Sequence, residues 1–476
     1  MRPLLLQCAE VEPGFVRDVL IRDTRIAAIE TRLSPTADVE QIDAAGGALL
    51  RGLHDHHIHL FALAAARQSV ACGPPEVTSA DELARALAAH AEGIDPEDWL
   101  RGFGYHESVA GPLDRRALDA LLPGTRPARV QHRTGAMWVL NSAALERVGA
   151  GLASWPSGVE CDAQGTPTGR VYAEDAWLRE RLGDASFPDL ASVGRFLASC
   201  GVTGLTDATP DKDSATLAAL DAAVESGALP QRVVVMGALE VTPESGTRLE
   251  RGAHKVMLRE SALPEFEALV SRIRAAHEQD RGVAFHCVTR AELVLAAGAL
   301  RAASVHPGDR IEHASIAPDD LVAMLSELGV TVVTQPGFVY ERGDVYLRDV
   351  DPADRPWLYR GRGFIEGGVS LGAGTDAPYG DADPWCAVRA AVARTTRDGH
   401  LLGEGEGLTP ERALALFTSP LEAPGRVPGP LAVGDAADLC LLDRPWAPHS
   451  ADLVRDHVRM TIARGRVIYT RERSAG

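Results

Sequence analysis

The chain has 476 residues, of which 45% are hydrophobic and 24% charged, a composition typical of a globular protein larger than one small domain. The 48 Lys and Arg residues against 66 Asp and Glu residues give a net charge of −18, which argues against nucleic acid or an anionic membrane as a partner. No apolar run approaches the roughly 20 residues that span a bilayer. Seven scattered cysteines without a Cys-x-x-Cys pair predict reduced thiols and a cytoplasmic location.

Short strands joined by turns are predicted at both ends of the chain. The first fifty residues contain the segments VLIRD, RIAAIE and VEQIDAAGGALL, and the last fifty contain ADLCLLD followed by the alternating pair in VRMTIARGRVIYT. We therefore expect residues 1–50 and 425–476 to form one small β-sandwich domain.

Between these ends, residues 51–424 alternate strands with helices. From about residue 190 onward, the strand-like segments GVTGLTDA, GVAFHCV, RIEHAS and VSLGAGTDAP are each followed by a helical pattern. Repeated βα units with short loops predict an α/β fold, a (β/α)8 barrel of TIM type, with an open doubly wound sheet as the alternative. Residues 61–185 interrupt the alternation and are predicted to be an α/β insertion after the first barrel strand.

The first barrel strand is predicted in the segment LLRGLHDHHIHL. Because side chains alternate along a strand, His57 and His59 share one face, and His54 and His56 lie on the other. Two histidines at positions i and i+2 place their imidazoles side by side, which suits a metal site. The alternative is a surface cluster of histidines, which fits an apolar strand less well.

Four later strands each contain or precede a candidate ligand: Lys255 in AHKVML, His286 in GVAFHCV, His313 in DRIEHAS and Asp376 in LGAGTDAP. Each has an ordinary explanation on its own, because strand histidines are often hydrogen-bonded core residues and Asp before Ala-Pro often forms a turn. Together they fall near the carboxyl ends of predicted barrel strands, the face where such barrels carry their active sites.

Lys255 is one of only two lysines in the chain, the other being Lys212. A protonated lysine beside imidazoles and a cation would be repelled, whereas a buried lysine of lowered pKa can react with carbon dioxide. The carbamate that results is an anionic oxygen ligand able to bridge two metal ions, and arginine cannot form it. A surface lysine whose amine reaches solvent is the alternative, and it suits Lys212 in TPDKDS better.

These residues resemble those of the amidohydrolase superfamily, in particular its family 3 branch, which includes enzymes similar to N-substituted formamide deformylase. Residues 55–59 match the Asp-x-His-x-His motif, and Lys255, His286, His313 and Asp376 match the later ligands of the family. The segments LDRRALDALLPG, WVLNSAAL, GTPTGRVYAED, GTDAPYGDADPW and GDAADLCLLD match the branch, so the resemblance covers nearly the whole chain.

The resemblance implies a metal-dependent hydrolase that cleaves a non-peptide C–N bond of an amide, formamide or cyclic amide. Two divalent ions, with zinc expected, would be held by six side chains: His57, His59, carbamylated Lys255, His286, His313 and Asp376. Asp376 would also serve as general acid and base for a water that the ions activate. A deaminase, a lactone or ester hydrolase, and a catalytically silent scaffold are the alternatives.

The substrate is expected to be a small molecule, and a homo-oligomer is left open. Tyr105 and Trp138 in the insertion and Gln335 after a barrel strand are candidate substrate contacts. Ordinary packing is the alternative for each of them.

Overall fold

The computed structural model describes residues 2–34, 36–95, 97–183, 187–446 and 453–471. Residues 1, 185 and 476, where predicted domain boundaries fall, lie outside these ranges. The strands, in chain order, are β1 Leu4–Glu12, β2 Phe15–Arg22, β3 Arg25–Glu30, β4 Glu40–Asp43, β5 Leu49–Arg51, β6 Leu53–Ile58, β7 Val70–Ala71, β8 Leu100–Tyr105, β9 Ala128–His132, β10 Met137–Leu140, β11 Val159–Cys161, β12 Pro167–Tyr172, β13 Val202–Asp207, β14 Arg232–Gly237, β15 Leu249–Met257, β16 Val283–Cys287, β17 Arg310–His313, β18 Thr331–Thr334, β19 Ser370–Ala373, β20 Leu439–Leu442, β21 Val458–Ala463 and β22 Arg466–Thr470.

The helices separate most of these strands. In chain order they are α1 Leu60–Arg67, α2 Ala80–Glu92, α3 Glu107–Ala110, α4 Arg115–Leu121, α5 Ser142–Gly149, α6 Asp175–Arg181, α7 Ala191–Ser199, α8 Ser214–Glu225, α9 Phe266–His277, α10 Arg290–Ala303, α11 Asp319–Leu328, α12 Gly337–Asp349, α13 Arg362–Glu366, α14 Pro384–Ala393 and α15 Pro410–Thr418. Within the described ranges, no helix is both long enough and apolar enough to cross a lipid bilayer.

Eight parallel strands form the barrel, in the order β19-β18-β17-β16-β15-β14-β13-β6. Strands β6 and β13 are buried at every position, as expected for parallel strands that are covered on both faces. Hydrogen bonds join the first and last strands at their carboxyl ends. The Asp376 amide donates to the His57 carbonyl at 2.7 Å, and the His59 amide donates to the Ala377 carbonyl at 2.9 Å. The predicted (β/α)8 barrel is therefore confirmed, and the doubly wound alternative is wrong.

Two four-stranded sheets pack as a β-sandwich built from both ends of the chain. One sheet has the order β3-β2-β1-β4 and the other β22-β21-β20-β5. Their facing side chains form one apolar cluster that includes Leu6, Val19, Leu439 and Ile462. Strands from the two termini thus share a core, because each sheet has one apolar face to bury.

The chain forms two compact units, one made of Met1–Leu60 with Leu190–Gly476 and the other of Phe61–Asp189. The first unit holds the barrel and the sandwich. The second unit holds a six-stranded sheet of order β11-β12-β10-β9-β8-β7 and the helices α2 to α6. It has apolar clusters of its own, as expected for an insertion that folds around a separate core.

Candidate metal centre

Four histidines and an aspartate from distant segments meet at the carboxyl end of the barrel. The ring centroids of His57 and His59 are 5.4 Å apart, those of His57 and His313 4.9 Å, and those of His286 and His313 4.5 Å. The Asp376 Oδ1 atom lies 3.1 Å from Nε2 of His59 and 3.5 Å from Nε2 of His57. The structure therefore brings these predicted ligands together on the barrel face that the sequence predicts.

Three of these residues have the spacing that one cation requires. A ligand atom from each of His57, His59 and Asp376 lies within 4.8 Å of the other two. Imidazole nitrogen and carboxylate oxygen are the ligands that zinc and related divalent ions take in proteins. The donor set therefore fits a divalent metal, while the role of each residue as a ligand stays a prediction.

Burial keeps the imidazoles of His57, His286 and His313 in the form that binds metal. Desolvation lowers the pKa of His57 and of His313 well below the usual value and lowers that of His286 to about 3, and the charge of Lys255 adds to the shift at each ring. Neutral imidazole has a free lone pair, so these rings need not lose a proton before they coordinate a cation.

Hydrogen bonds at Nδ1 fix the orientation of three of the rings. Nδ1 of His57 donates to the Glu312 carboxylate, and Nδ1 of His313 donates to the Gln335 amide oxygen at 2.6 Å. Nδ1 of His59 is 3.0 Å from the Thr209 hydroxyl. Occupation of Nδ1 leaves Nε2 for the centre, the arrangement found around protein metal ligands.

Glu312 is a functional residue that sequence reasoning missed. It is fully buried and is also paired with Arg310, whose guanidinium donates to both carboxylate oxygens and to the His56 carbonyl. Burial raises the pKa of Glu312, but the charges of Arg310 and Lys255 outweigh this and hold the pKa below its usual value. The sequence signal that could have revealed Glu312 is the charged pair Arg310 and Glu312, at positions i and i+2 of a buried strand. This spacing places both side chains on one face.

Unusual backbone angles let neighbouring residues serve the same site. His313 has a φ of 69° and Ala314 a φ of 46°, and Asp376 has a φ of 56°. Residues other than glycine enter this left-handed region at a cost, and such residues cluster at functional sites. The turn at His313 ends the strand alternation, so Glu312 and His313 both contact the histidines of the centre.

Lys255 lies in β15 with a buried side chain, and its amine has no hydrogen-bond partner among the residues that the structure describes. Burial lowers its pKa to about 8, so the neutral amine is accessible near neutral pH. A buried donor without an acceptor is destabilising by roughly 1–3 kcal/mol, which an acceptor beside it, or binding of the neutral amine's lone pair to a cation, would relieve. This orphaned amine fits both carbamylation and a nearby metal.

Lys212 corrects an expectation from the sequence, which placed its amine at the surface. Its side chain is 1% exposed and lies 2.7 Å from the buried carboxylate of Asp207. The amine also donates to the carbonyls of Thr209 and Met236. Asp207 in turn accepts from the amides of Thr209 and Leu60, so this ion pair holds the loop that presents Thr209 to His59.

The other face of β6 has structural partners. Nδ1 of His54 donates to the Ser419 carbonyl at 2.6 Å, and Nε2 of His56 lies 2.9 Å from the Ser419 hydroxyl. On the same face of β6 as His57, Asp55 accepts from the Thr375 amide and hydroxyl, which ties β6 to the segment that carries Asp376. Burial raises the pKa of Asp55 to about 6.

The three predicted substrate contacts have partners within their own units. The Tyr105 hydroxyl donates to the Gly111 carbonyl, and the Trp138 indole donates to Asp175 at 2.8 Å. Gln335 is buried and oriented toward His313. Contact with a substrate stays a prediction for each of the three.

Comparison with known proteins decides the family. A model of the amidohydrolase family matches residues 40–469, nearly the entire chain. The chain belongs to the amidohydrolase family. The resemblance found in the sequence is thereby confirmed, and this amidohydrolase is a metal-dependent hydrolase of C–N bonds other than peptide bonds.

Individual relatives agree with this assignment. The amidohydrolase is 27% identical over 514 residues to the N-substituted formamide deformylase of Arthrobacter pascens, with 93% of this chain and 94% of the relative covered. A metal-dependent hydrolase of Pyrococcus horikoshii OT3 has the same fold, with a TM-score of 0.73 at 20% identity over 96% of this chain and 99% of its own. The N-isopropylammelide isopropylaminohydrolase of Burkholderia multivorans shares it with a TM-score of 0.55 at 18% identity over 98% of each chain.

Proposed function

We propose that this amidohydrolase cleaves the C–N bond of a small amide, formamide or cyclic amide, with Asp376 as general acid and base. The observation that carries the proposal is the position of the Asp376 carboxylate, 3.1 Å from Nε2 of His59 and 3.5 Å from Nε2 of His57. A carboxylate at this point can act on a water held among the ligands. The relative named as a deformylase of N-substituted formamides supports formamides as the first compounds to test.

Two divalent ions, zinc by the chemistry of the donors, would be held by this set. His57 and His59 would hold one ion, His286 and His313 the other, carbamylated Lys255 would bridge them, and Asp376 would complete the set. When bound, the ions polarise the substrate carbonyl and lower the pKa of a water toward neutrality.

Carbamylation of Lys255 requires only carbon dioxide and the neutral amine. The neutral amine attacks the carbon of carbon dioxide, one N–C bond forms, and one proton leaves to solvent. The product is an anion, which replaces a repelled ammonium beside the imidazoles. A Lys255→Ala variant is therefore expected to lose one or both ions, as measured by metal analysis, and normal metal content with full activity would reject the bridging role.

In this proposal Asp376 carries out both proton transfers. Its carboxylate accepts a proton from the attacking water and then delivers that proton to the leaving nitrogen, which departs as a neutral amine. The rings of His57 and His59, fixed at Nδ1 by Glu312 and Thr209, hold their positions during both transfers.

The test is hydrolysis of a panel of N-formyl and N-acyl amines, with amino-substituted heterocycles and lactones beside them, by the zinc-loaded full chain. Release of acid, amine and ammonia is measured together. Asp376→Asn should lower kcat by at least about 100-fold, the size of a general acid–base contribution. Ammonia as the product would indicate a deaminase, and cleavage of lactones alone would indicate an ester hydrolase. Either result would reject the amide assignment.

The remaining expectations follow from composition. We propose that the protein works in the cytoplasm, which its seven unpaired cysteines favour. Its partner would be the small-molecule substrate, since the net charge of −18 disfavours nucleic acid and anionic membranes. A homo-oligomer would show directly in the molar mass measured by light scattering.

A further inference from the structure

Helix α12 follows β18 at the carboxyl face of the barrel and presents one stripe of side chains. Phe338, Arg342 and Tyr346 are spaced four residues apart, so they lie on one side of the helix. Tyr340, on another side, is 41% exposed. The stripe is therefore the side of α12 that packs against the rest of the barrel unit.

Arg342 in this stripe contacts the loop that carries Asp376. Arg342 donates to the Tyr379 carbonyl, and the Tyr379 amide donates to the Asp376 carbonyl at 2.8 Å. The Tyr379 ring meets the His59 ring edge-on with centroids 5.4 Å apart. Tyr379 thus links Arg342 to both Asp376 and His59.

Aromatic rings hold the Arg342 side chain in place. Its guanidinium carbon lies 4.0 Å from the centroid of the Phe338 ring. The Phe338 ring packs edge-on against Tyr359 at 5.6 Å, and the Tyr359 and Tyr346 hydroxyls are 3.4 Å apart. Tyr359 also donates its amide to the Ser315 carbonyl at 2.9 Å, two residues beyond His313. A guanidinium stacked on a ring keeps its N–H edge free for a planar acceptor.

Arg342 has spare hydrogen-bonding capacity that comparable arginines lack. Within the described ranges, no carboxylate oxygen lies within 4.0 Å of its nitrogens. The charges of Glu341 and Asp376 are nevertheless near enough to raise the pKa of Arg342. The buried Arg394 donates instead to three carbonyls, and Arg310 is paired with a carboxylate. Arg342 is half-buried, and among the described residues its five N–H groups donate to a single carbonyl, that of Tyr379.

We propose that Arg342 binds a carboxylate of the substrate, so that the compound hydrolysed is an amide that also carries a carboxylate, such as an N-formyl or N-acyl amino acid. The inference rests on the proposed amide hydrolysis and adds a substrate class to it. The fork of the guanidinium matches a carboxylate with two parallel hydrogen bonds, and its place beside Tyr379 sets that carboxylate next to the reacting carbonyl.

The probes are N-formylphenylalanine and N-(2-phenylethyl)formamide, which differ only in the carboxylate. The zinc-loaded full chain should hydrolyse the acid with the higher kcat/KM, measured as formate release. Arg342→Gln should lower this preference by about 10- to 100-fold, chiefly through the KM for the acid, as expected for a charged hydrogen bond. Arg342→Lys keeps the charge but loses the forked geometry. Its preference for the acid should lie between that of the wild-type protein and that of Arg342→Gln.

Arg397 provides the matched control. Its guanidinium also lies over a ring of α12, 5.3 Å from the centroid of Tyr340, but the residue is exposed. Arg397→Gln should leave the preference for the acid unchanged. If Arg342→Gln lowers kcat/KM for the acid and for the neutral formamide by the same factor, the proposal is overturned and Arg342 has a structural role only.

The two proposals fail in different ways. Cleavage of the neutral formamide but not of the acid would overturn the carboxylate proposal and leave amide hydrolysis intact. If neither compound is cleaved, formamide hydrolysis fails, and calorimetric titration with N-formylphenylalanine then decides the carboxylate proposal. Binding that is about tenfold weaker in Arg342→Gln supports it, whereas equal affinity, or no binding to the wild-type protein, overturns it.

Discussion

The carboxylate of Glu312 accepts a hydrogen bond from Nδ1 of His57, a residue 255 positions earlier in the chain, and both side chains are almost completely buried. The same carboxylate is paired with Arg310, so one buried anion orients a predicted ligand and neutralises a cation. A contact of this kind raises the basicity of the ring and fixes its tautomer.

Glu312→Gln should therefore weaken metal binding by about 10- to 100-fold, since the amide oxygen is a weaker acceptor for His57 and leaves Arg310 without its counter-charge. Competition with a chelator measures the affinity. The control is Glu327→Gln, which changes an exposed ion pair with Arg301 and should have no effect on metal binding. An unchanged affinity in Glu312→Gln would contradict the orienting role.

Lys255 predicts how the stability of the metal-free protein depends on pH. Burial lowers its pKa from 10.5 to about 8 in the folded protein, and the unfolded chain keeps the ordinary value. Between pH 8 and 10.5 only the unfolded chain binds this proton, so stability rises with pH across that window. Below pH 8 the folded protein is less stable by about 3 kcal/mol than it would be if Lys255 kept its ordinary pKa.

The comparison with Lys255→Met isolates this effect, because methionine fills similar space without a titrating group. Urea denaturation in the presence of a chelator, at pH 7.5 and about pH 10, gives the free energy of unfolding of both proteins. The difference in free energy of unfolding between Lys255→Met and the wild-type protein should shrink as the pH rises. Parallel pH dependence in the two proteins would show that Lys255 does not lose its proton in this range.

The Lys212–Asp207 pair predicts a large loss of stability when one partner is removed. Lys212→Met leaves the Asp207 carboxylate buried without its counter-charge, which should lower the free energy of unfolding by about 3–5 kcal/mol. Denaturant titration measures the loss. The exposed Arg301–Glu327 pair offers the comparison, and Arg301→Met should change stability by less than about 1 kcal/mol. A similarly small effect in Lys212→Met would show that the pair is dispensable.

Gln335 allows two roles to be separated. If its amide oxygen positions His313, Gln335→Leu should weaken metal binding and lower kcat, with little change in KM once the metal is saturating. If the residue contacts substrate, as the sequence predicts, KM should rise while metal affinity is kept. Steady-state kinetics at several zinc concentrations distinguish these results.

The sequence predicted the features that depend on local periodicity. Alternation along LHDHHIH separated His57 and His59 from His54 and His56. The structure places the first pair in the candidate metal centre and the second pair beside Ser419. The alternation of strands and helices predicted the barrel, and a barrel gathers the carboxyl ends of its strands at one face. Convergence of the predicted ligands followed from those two properties.

Only the tertiary structure decided the contacts between segments that lie far apart in the chain. The burial of Lys212 depends on Asp207 meeting it across a loop, and the role of Glu312 depends on its meeting His57 from another strand. The left-handed backbone at His313, which lets Glu312 and His313 serve one site, is likewise invisible in a run of residue types. Periodicity fixes which face of a strand a side chain occupies, but its partner is set by how the strands pack, and that depends on the whole chain at once.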